Sequence, residues 1–188
     1  MWLTEAEWRS LIPARPRKAD TFPVPAALVD RMCRYHLLPG SMHSRTGYLW
    51  EFLGLKDKGI RARELTLTVE EVSSSSIRLS MTGFVHLGHP YDPVATAQIP
   101  PKRLVSLGYE AQISGVLDYD SKKGVITRFD ILVLGDLYGD SDPNHWLVRP
   151  GRNPLGFAFE LVKGDTPGDR LPPRGYLTRA DLERYLGK

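Results

Sequence analysis

The chain has little cysteine: Cys33 is the only one in 188 residues. No intrachain disulfide can form, and a cysteine-only zinc site is excluded. A cysteine-poor chain suits a reducing compartment, so a cytoplasmic location is the default expectation, or an exported one if a signal peptide has been removed. Long hydrophobic runs are also missing. The longest span roughly five to seven residues, far short of the ~20 needed to cross a bilayer. Met1-Trp2-Leu3-Thr4-Glu5 has neither the basic start nor the apolar stretch of a signal peptide. The sequence thus predicts a soluble chain with no membrane span.

A strong excess of one charge is lacking too. Lys and Arg total 25 against 22 Asp and Glu, a formal net charge of +3. Arg15, Arg17 and Lys18 form one basic knot, but elsewhere cations alternate with carboxylates. A phosphate-binding surface needs its cations on one face, so no nucleic-acid partner is expected. The standard catalytic signatures are absent as well: no phosphate-cradling G-x-x-x-x-G-K-[ST], no G-x-G-x-x-G after a strand, no G-x-S-x-G elbow and no H-E-x-x-H.

What is present is a foldable pattern. The hydrophobic fraction is 41%, with 17 glycines and 15 prolines clustered between apolar runs, as in β-rich folds with elaborate connections. The length fits a single domain over 1–188. It divides into a helical N-terminal segment (1–40), a β core (60–163) and a loop with a C-terminal helix (164–188). Thr4 and Glu7 have capping-box spacing ahead of Trp8, Leu11 and Ile12, predicting a first helix. A second starts at Pro25 and carries Leu28, Val29, Met32, Tyr35 and His36 at helical spacing. A third is expected between Thr178 and Leu186.

Between the helices the period changes to two. Leu65, Leu67 and Val69 alternate with polar residues; so do Ile77, Leu79, Met81, Val85 and Leu87, and Ser73 to Ser76 join the two runs as a hairpin. A second hairpin runs Tyr109, Ala111, Ile113 and Leu117, then a turn ending in Gly124, then residues 125–134. Phe157, Phe159 and Leu161 mark a fifth strand. Such strands must pair with another layer or close on themselves. The expected fold is mainly β: a curved antiparallel sheet or partly closed barrel with short flanking helices. Residues 125–134 are apolar on much of both faces, which predicts a strand covered on both sides with Phe129 as a buried anchor.

Candidate ligands for a metal fall short of a known spacing. Cys33, His36 and His43 offer mixed N/S donors, and His86 with His89 a second pair, but none matches a closed zinc motif. Asp140-Ser141-Asp142-Pro143-Asn144 begins like a calcium loop, yet His145 stands where the turn needs glycine and Gly151 where a bidentate glutamate belongs. No metal and no cofactor are therefore expected. Arg149 and Arg152 flank Pro150-Gly151 and could clamp an anion, or pair with Asp136, Asp140 or Asp142. Tyr48, Trp50 and Phe52 alternate, and Tyr138 and Trp146 flank the acidic turn. These features predict a non-catalytic module that binds a small apolar ligand or a protein partner, through Tyr48, Trp50, Tyr138, Trp146, Arg149 and Arg152. The alternative is a hydrolase-like cleft around Arg128, Asp130, Asp136 and His145.

Two stretches carry a family resemblance. Leu3-Thr4-Glu5-Ala6-Glu7-Trp8, continuing to Leu11 and Pro13, and the set Thr127-Arg128-Phe129-Asp130, Leu134-Gly135-Asp136 and Arg149-Pro150-Gly151-Arg152-Asn153-Pro154-Leu155-Gly156-Phe157-Ala158-Phe159-Glu160-Leu161, resemble parts of uncharacterised β-rich domains of bacterial proteins. The resemblance implies a bacterial origin and a β-rich fold, and no activity or site residue.

Overall fold

The computed structural model describes residues 1–37, 59–96, 105–140, 151–170 and 179–187. Its centre is one six-stranded antiparallel sheet in which sequence order is spatial order. The strands are β1 (Thr21–Pro23), β2 (Ile60–Val72), β3 (Ser76–Gly88), β4 (Val105–Asp120), β5 (Val125–Asp140) and β6 (Asn153–Phe159). The helices are α1 (Glu5–Arg9), α2 (Ala26–Tyr35), α3 (Pro93–Thr96) and α4 (Arg179–Tyr185), with a 3-10 turn at Gly168–Arg170. The sheet is not closed; β1 and β6 are its two edges. Among the described residues, no helix is long and apolar enough to cross a membrane.

The period-two pattern assigns the faces. Leu65, Leu67 and Val69, then Ile77, Leu79, Met81, Val85 and Leu87, then Tyr109, Ala111, Ile113 and Leu117 are all buried. The register aligns these odd-numbered positions across β3, β4 and β5: Leu79 lies opposite Leu117, Leu117 opposite Phe129, and Ile113 opposite Val133. One face is thus continuous and apolar. Leu28, Val29, Met32 and Cys33 of α2 are buried in the same core, so this helix covers part of that face. Burial also pushes the Cys33 thiol up to about 12, out of range of thiolate chemistry at neutral pH.

Two glycines on the core face allow neighbouring strands to approach closely. A Cβ at Gly83 would sit 2.0 Å from the Glu64 carbonyl oxygen, and one at Gly135 would sit 2.1 Å from that of Glu110. The neighbouring strand approaches too closely for any side chain, which is one reason a strand interior carries glycine.

The helical ends begin as the sequence predicts. Thr4 accepts the Glu7 backbone N–H, and the Glu7 carboxylate accepts the Thr4 N–H, completing the capping box. The same Glu7 has a second role. Arg31, only 5% exposed, donates from Nη1 to Oε2 at 2.9 Å and from Nη2 to Oε1 at 2.5 Å. Nη1 also donates to the Trp2 carbonyl. This forked pair ties α1 to α2.

Three expectations change. Strand β1 was not foreseen; it is three residues of edge, ending in a proline. Helix α1 is shorter than its apolar spacing suggests, since it ends at Arg9. Strand β5 is hydrogen-bonded on both sides, by β4 and β6, but covered on one face only. Leu132 and Leu134 point outward, 42% and 55% exposed. Phe129 packs against the core and is half-buried, because it also lines an open groove beside Met1, Leu3 and Phe159.

Two outcomes are expected. Gly135→Ala should lower the unfolding free energy measured by denaturant melts by the ~1–3 kcal/mol or more of an overpacked site, while Gly164→Ser, at a position with open space, costs less despite its positive φ. Native Cys33 should resist a thiol reagent that labels it fully in denaturant.

Candidate functional site

Two clusters bring side chains together from distant parts of the chain. The first lies along a row of cross-strand partners: Ala62, His86, Glu110, Asp136 and Pro154. Arg61 sits in the irregularity between Ile60 and Ala62, and a bulge of this kind re-aims a side chain. Its Nη2 donates to Glu110 Oε1 at 2.7 Å and to the Tyr138 hydroxyl at 3.1 Å. Arg152 donates to Glu110 Oε2 at 2.8 Å and lies 3.5 Å from Asp136. Its guanidinium also stacks over Tyr91 at 4.5 Å and Tyr138 at 5.2 Å. The Tyr138 hydroxyl donates to the His89 carbonyl.

Burial alone would raise the Glu110 pKa, but the hydrogen bonds from Arg61 and Arg152 outweigh it and hold the carboxyl at about 2. Tyr138 is pushed up to about 12 by burial and by its neighbour Glu110. Each arginine in this cluster already has its carboxylate. It is a saturated clasp between β2, β4, β5 and β6, with no forked cation left over to grip an anion.

Of the sequence-predicted ligand-binding residues, the structure brings Tyr138 and Arg152 together in this clasp; Tyr48, Trp50, Trp146 and Arg149 lie outside the described residues. Arg128 and Asp130 pair with each other at 2.5 Å. Asp136 lies six positions further along the same strand, ~20 Å away at ~3.3 Å per residue. These carboxylates do not share a cleft, and His145 lies outside the described residues. His86 contacts Phe84, and His89 follows the end of β3. Asp140 ends β5; Asp142 and Asn144 lie outside the described residues. Among the described residues, no group of three or more His, Cys, Asp or Glu side chains could hold a metal ion.

The second cluster is an apolar groove of about 900 Å³. Its floor is the sheet, through Ile126, Phe129 and Ile131 of β5 and Phe159 of β6. Its other walls are Met1, Trp2, Leu3 and Trp8, then Leu161, Val162 and Leu186. Thr4, His36, Glu160 and Asp169 add the polar lining. The chain's two ends are joined at its border. The Trp2 backbone N–H donates to the Tyr185 hydroxyl at 3.1 Å, and His36 Nε2 lies 2.9 Å from the same oxygen. Tyr185 is buried, and its hydroxyl is pushed up to about 12, chiefly by burial. The His36 ring meets Phe159 edge-on at 5.9 Å. Arg31 stacks over the Tyr185 ring at 5.2 Å, linking this border to the Arg31–Glu7 pair.

Sequence reasoning missed this groove because its lining comes from five separate stretches of chain. The one usable signal is Phe129, an aromatic residue in the middle of an apolar strand.

Comparison of the chain with protein-family models, with curated proteins and with solved structures finds no match in any of the three.

The two depressed carboxyls set a pH dependence. The hydrogen bond from Arg31 holds Glu7 at about 2 against an ordinary 4.5, and Glu110 is likewise held at about 2. Both folded values lie below the unfolded ones, so their stabilisation is complete above about pH 4.5 and is lost as pH falls toward 2. Urea midpoints measured at pH 7, 4.5 and 2.5 should fall steeply only across the last interval. Glu7→Gln should start lower and show a shallower fall.

Proposed function

We propose that the protein is a non-catalytic binding module whose groove beneath the N-terminal segment takes an elongated, mostly apolar small molecule. The observation that supports this reading is the composition of the groove wall. About 900 Å³ is the size of pocket that buries a drug-sized ligand, and here the walls are largely aromatic and aliphatic. Apolar transfer supplies the affinity, at roughly 25 cal/mol per Å² buried. The polar groups of Thr4, His36, Glu160 and Asp169 supply orientation.

Catalysis is not part of this reading. His36 has Tyr185 as its hydrogen-bond neighbour, and the carboxylates of β5 are engaged with arginines on the outer face. No nucleophile, base and oxyanion donor converge among the described residues.

A neutral, environment-sensitive fluorophore such as N-phenyl-1-naphthylamine should bind saturably with one equivalent per chain. Leu161→Lys, at a rim position that is 40% exposed, should weaken binding about tenfold, equivalent to losing roughly 50 Å² of apolar contact. Leu132→Lys on the outer face should leave binding unchanged. No saturable binding, or equal loss from both variants, would refute the proposal.

A further inference from the structure

The free edge of β6 follows from hydrogen-bond parity. In an antiparallel sheet, alternate residues of a strand bond to opposite neighbours. Just beyond the ends of β3, the His89 N–H donates to the Leu107 carbonyl and the Ser121 N–H to the Ser75 carbonyl. The β3–β4 register is unbroken between these points, so odd residues of β4 bond to β3 and even ones to β5. Glu110 lies opposite Asp136; even residues of β5 are therefore committed to β4, and odd ones to β6. On β6 that commits Asn153, Leu155, Phe157 and Phe159. Pro154, Gly156 and Ala158 turn their backbone groups to the open side. Proline, which has no N–H, falls in this set, as an edge position requires.

All three of these residues are exposed. Their side chains are small or cyclic, and they lie beside the outward Leu132 and Leu134. On the core side, Leu155 and Phe157 remain only half-buried, because the sheet stops at this strand. Among the described residues, the edge therefore offers unpaired N–H and C=O groups and an incompletely covered apolar row. Such an edge is a template for a further strand.

We propose that a second copy of this chain occupies it, pairing β6 with β6 antiparallel about a two-fold axis at Gly156. Gly156 is the midpoint of the strand Asn153–Phe159, so this register overlaps its whole length. Gly156 N–H then donates to the Gly156 carbonyl of the second copy, and the reverse. Ala158 N–H donates to the Pro154 carbonyl of the second copy, again in both directions. The missing N–H of Pro154 removes one bond at each end and leaves the others intact. On the core side, Phe157 meets Leu155 of the second copy and Leu155 meets its Phe157, a cross-strand pairing of the stabilising aromatic–aliphatic kind. One strand thus supplies both halves of the contact, which is the requirement for an isologous interface.

Sedimentation velocity across a concentration series, on the full chain, tests this. The wild type should pass from monomer to dimer. Ala158→Pro removes only an outward-facing N–H and should be monomeric with an unchanged circular dichroism spectrum; Ala158→Thr, which keeps that N–H, should still dimerise. The register has its own readout, independent of whether the proline variant folds. Facing Cα atoms in a hydrogen-bonded pair are ~5.5 Å apart, within disulfide reach. Gly156→Cys should therefore cross-link between copies on mild oxidation, whereas Ala158→Cys should not. A wild type that stays monomeric at the highest concentration, a dimer insensitive to Ala158→Pro, or equal cross-linking by both cysteine variants would overturn the proposal.

Discussion

The Arg31–Glu7 pair is the interaction on which the helical side of this molecule depends. An open sheet with one apolar face needs a cover, and the cover here is assembled from chain segments with little core of their own. Helix α1 has no buried residue and is too short to be stable alone. Its carboxylate is fixed to a guanidinium buried on α2, and α2 in turn carries the apolar stripe of Leu28, Val29, Met32 and Cys33. Tyr185 stacks on the same guanidinium and accepts the Trp2 N–H. The N-terminal segment, α2 and α4 therefore meet around one buried cation. Charge burial costs several kcal/mol per ion, so the pair serves less as a source of net stability than as a device that fixes one arrangement.

That arrangement leaves the groove. Helix α2 roofs the core over β2 and its neighbours, and the N-terminal segment reaches toward β5. Among the described residues, the space between that segment, β5, β6 and the residues after β6 stays open. Phe129 and Phe159 line it where a fully covered sheet would bury them. The opposite border of the sheet is handled differently. There Arg61, Glu110, Asp136 and Arg152 neutralise one another, and Tyr138 lies over Gly108, where a Cβ would come within 2.3 Å of the ring. Among the described residues, one end of the sheet carries saturated polar contacts and the other an apolar groove.

Much of the fold was legible because it is written in local rules. The capping box at Thr4 and Glu7, the alternation of Leu79 with Arg78 and Ser80, and the turn at Gly124 each depend on neighbours in sequence. What could not be read depends on partners far along the chain. Glu7 as a capping residue is evident from spacing, but its bond to Arg31 is not. Residues 125–134 look alike on both faces, and only the placement of the helices decides that Val133 is buried while Leu134 is exposed. The candidate site was less legible still. Arg152 reads in the sequence as half of an anion clamp, and the carboxylates that engage it, Glu110 and Asp136, sit on two different strands.

The claim that the apolar groove is the ligand site is tested most directly by residue-resolved NMR. Backbone and methyl shifts would be followed while a neutral apolar probe is titrated into the labelled protein. The account predicts saturating shifts at Ile126, Phe129, Ile131, Phe159 and Leu161, with His36 among them, and little change at Leu132, Leu134 or the Arg61–Glu110–Arg152 clasp. Shifts concentrated on the outer face, or none that saturate, would contradict it.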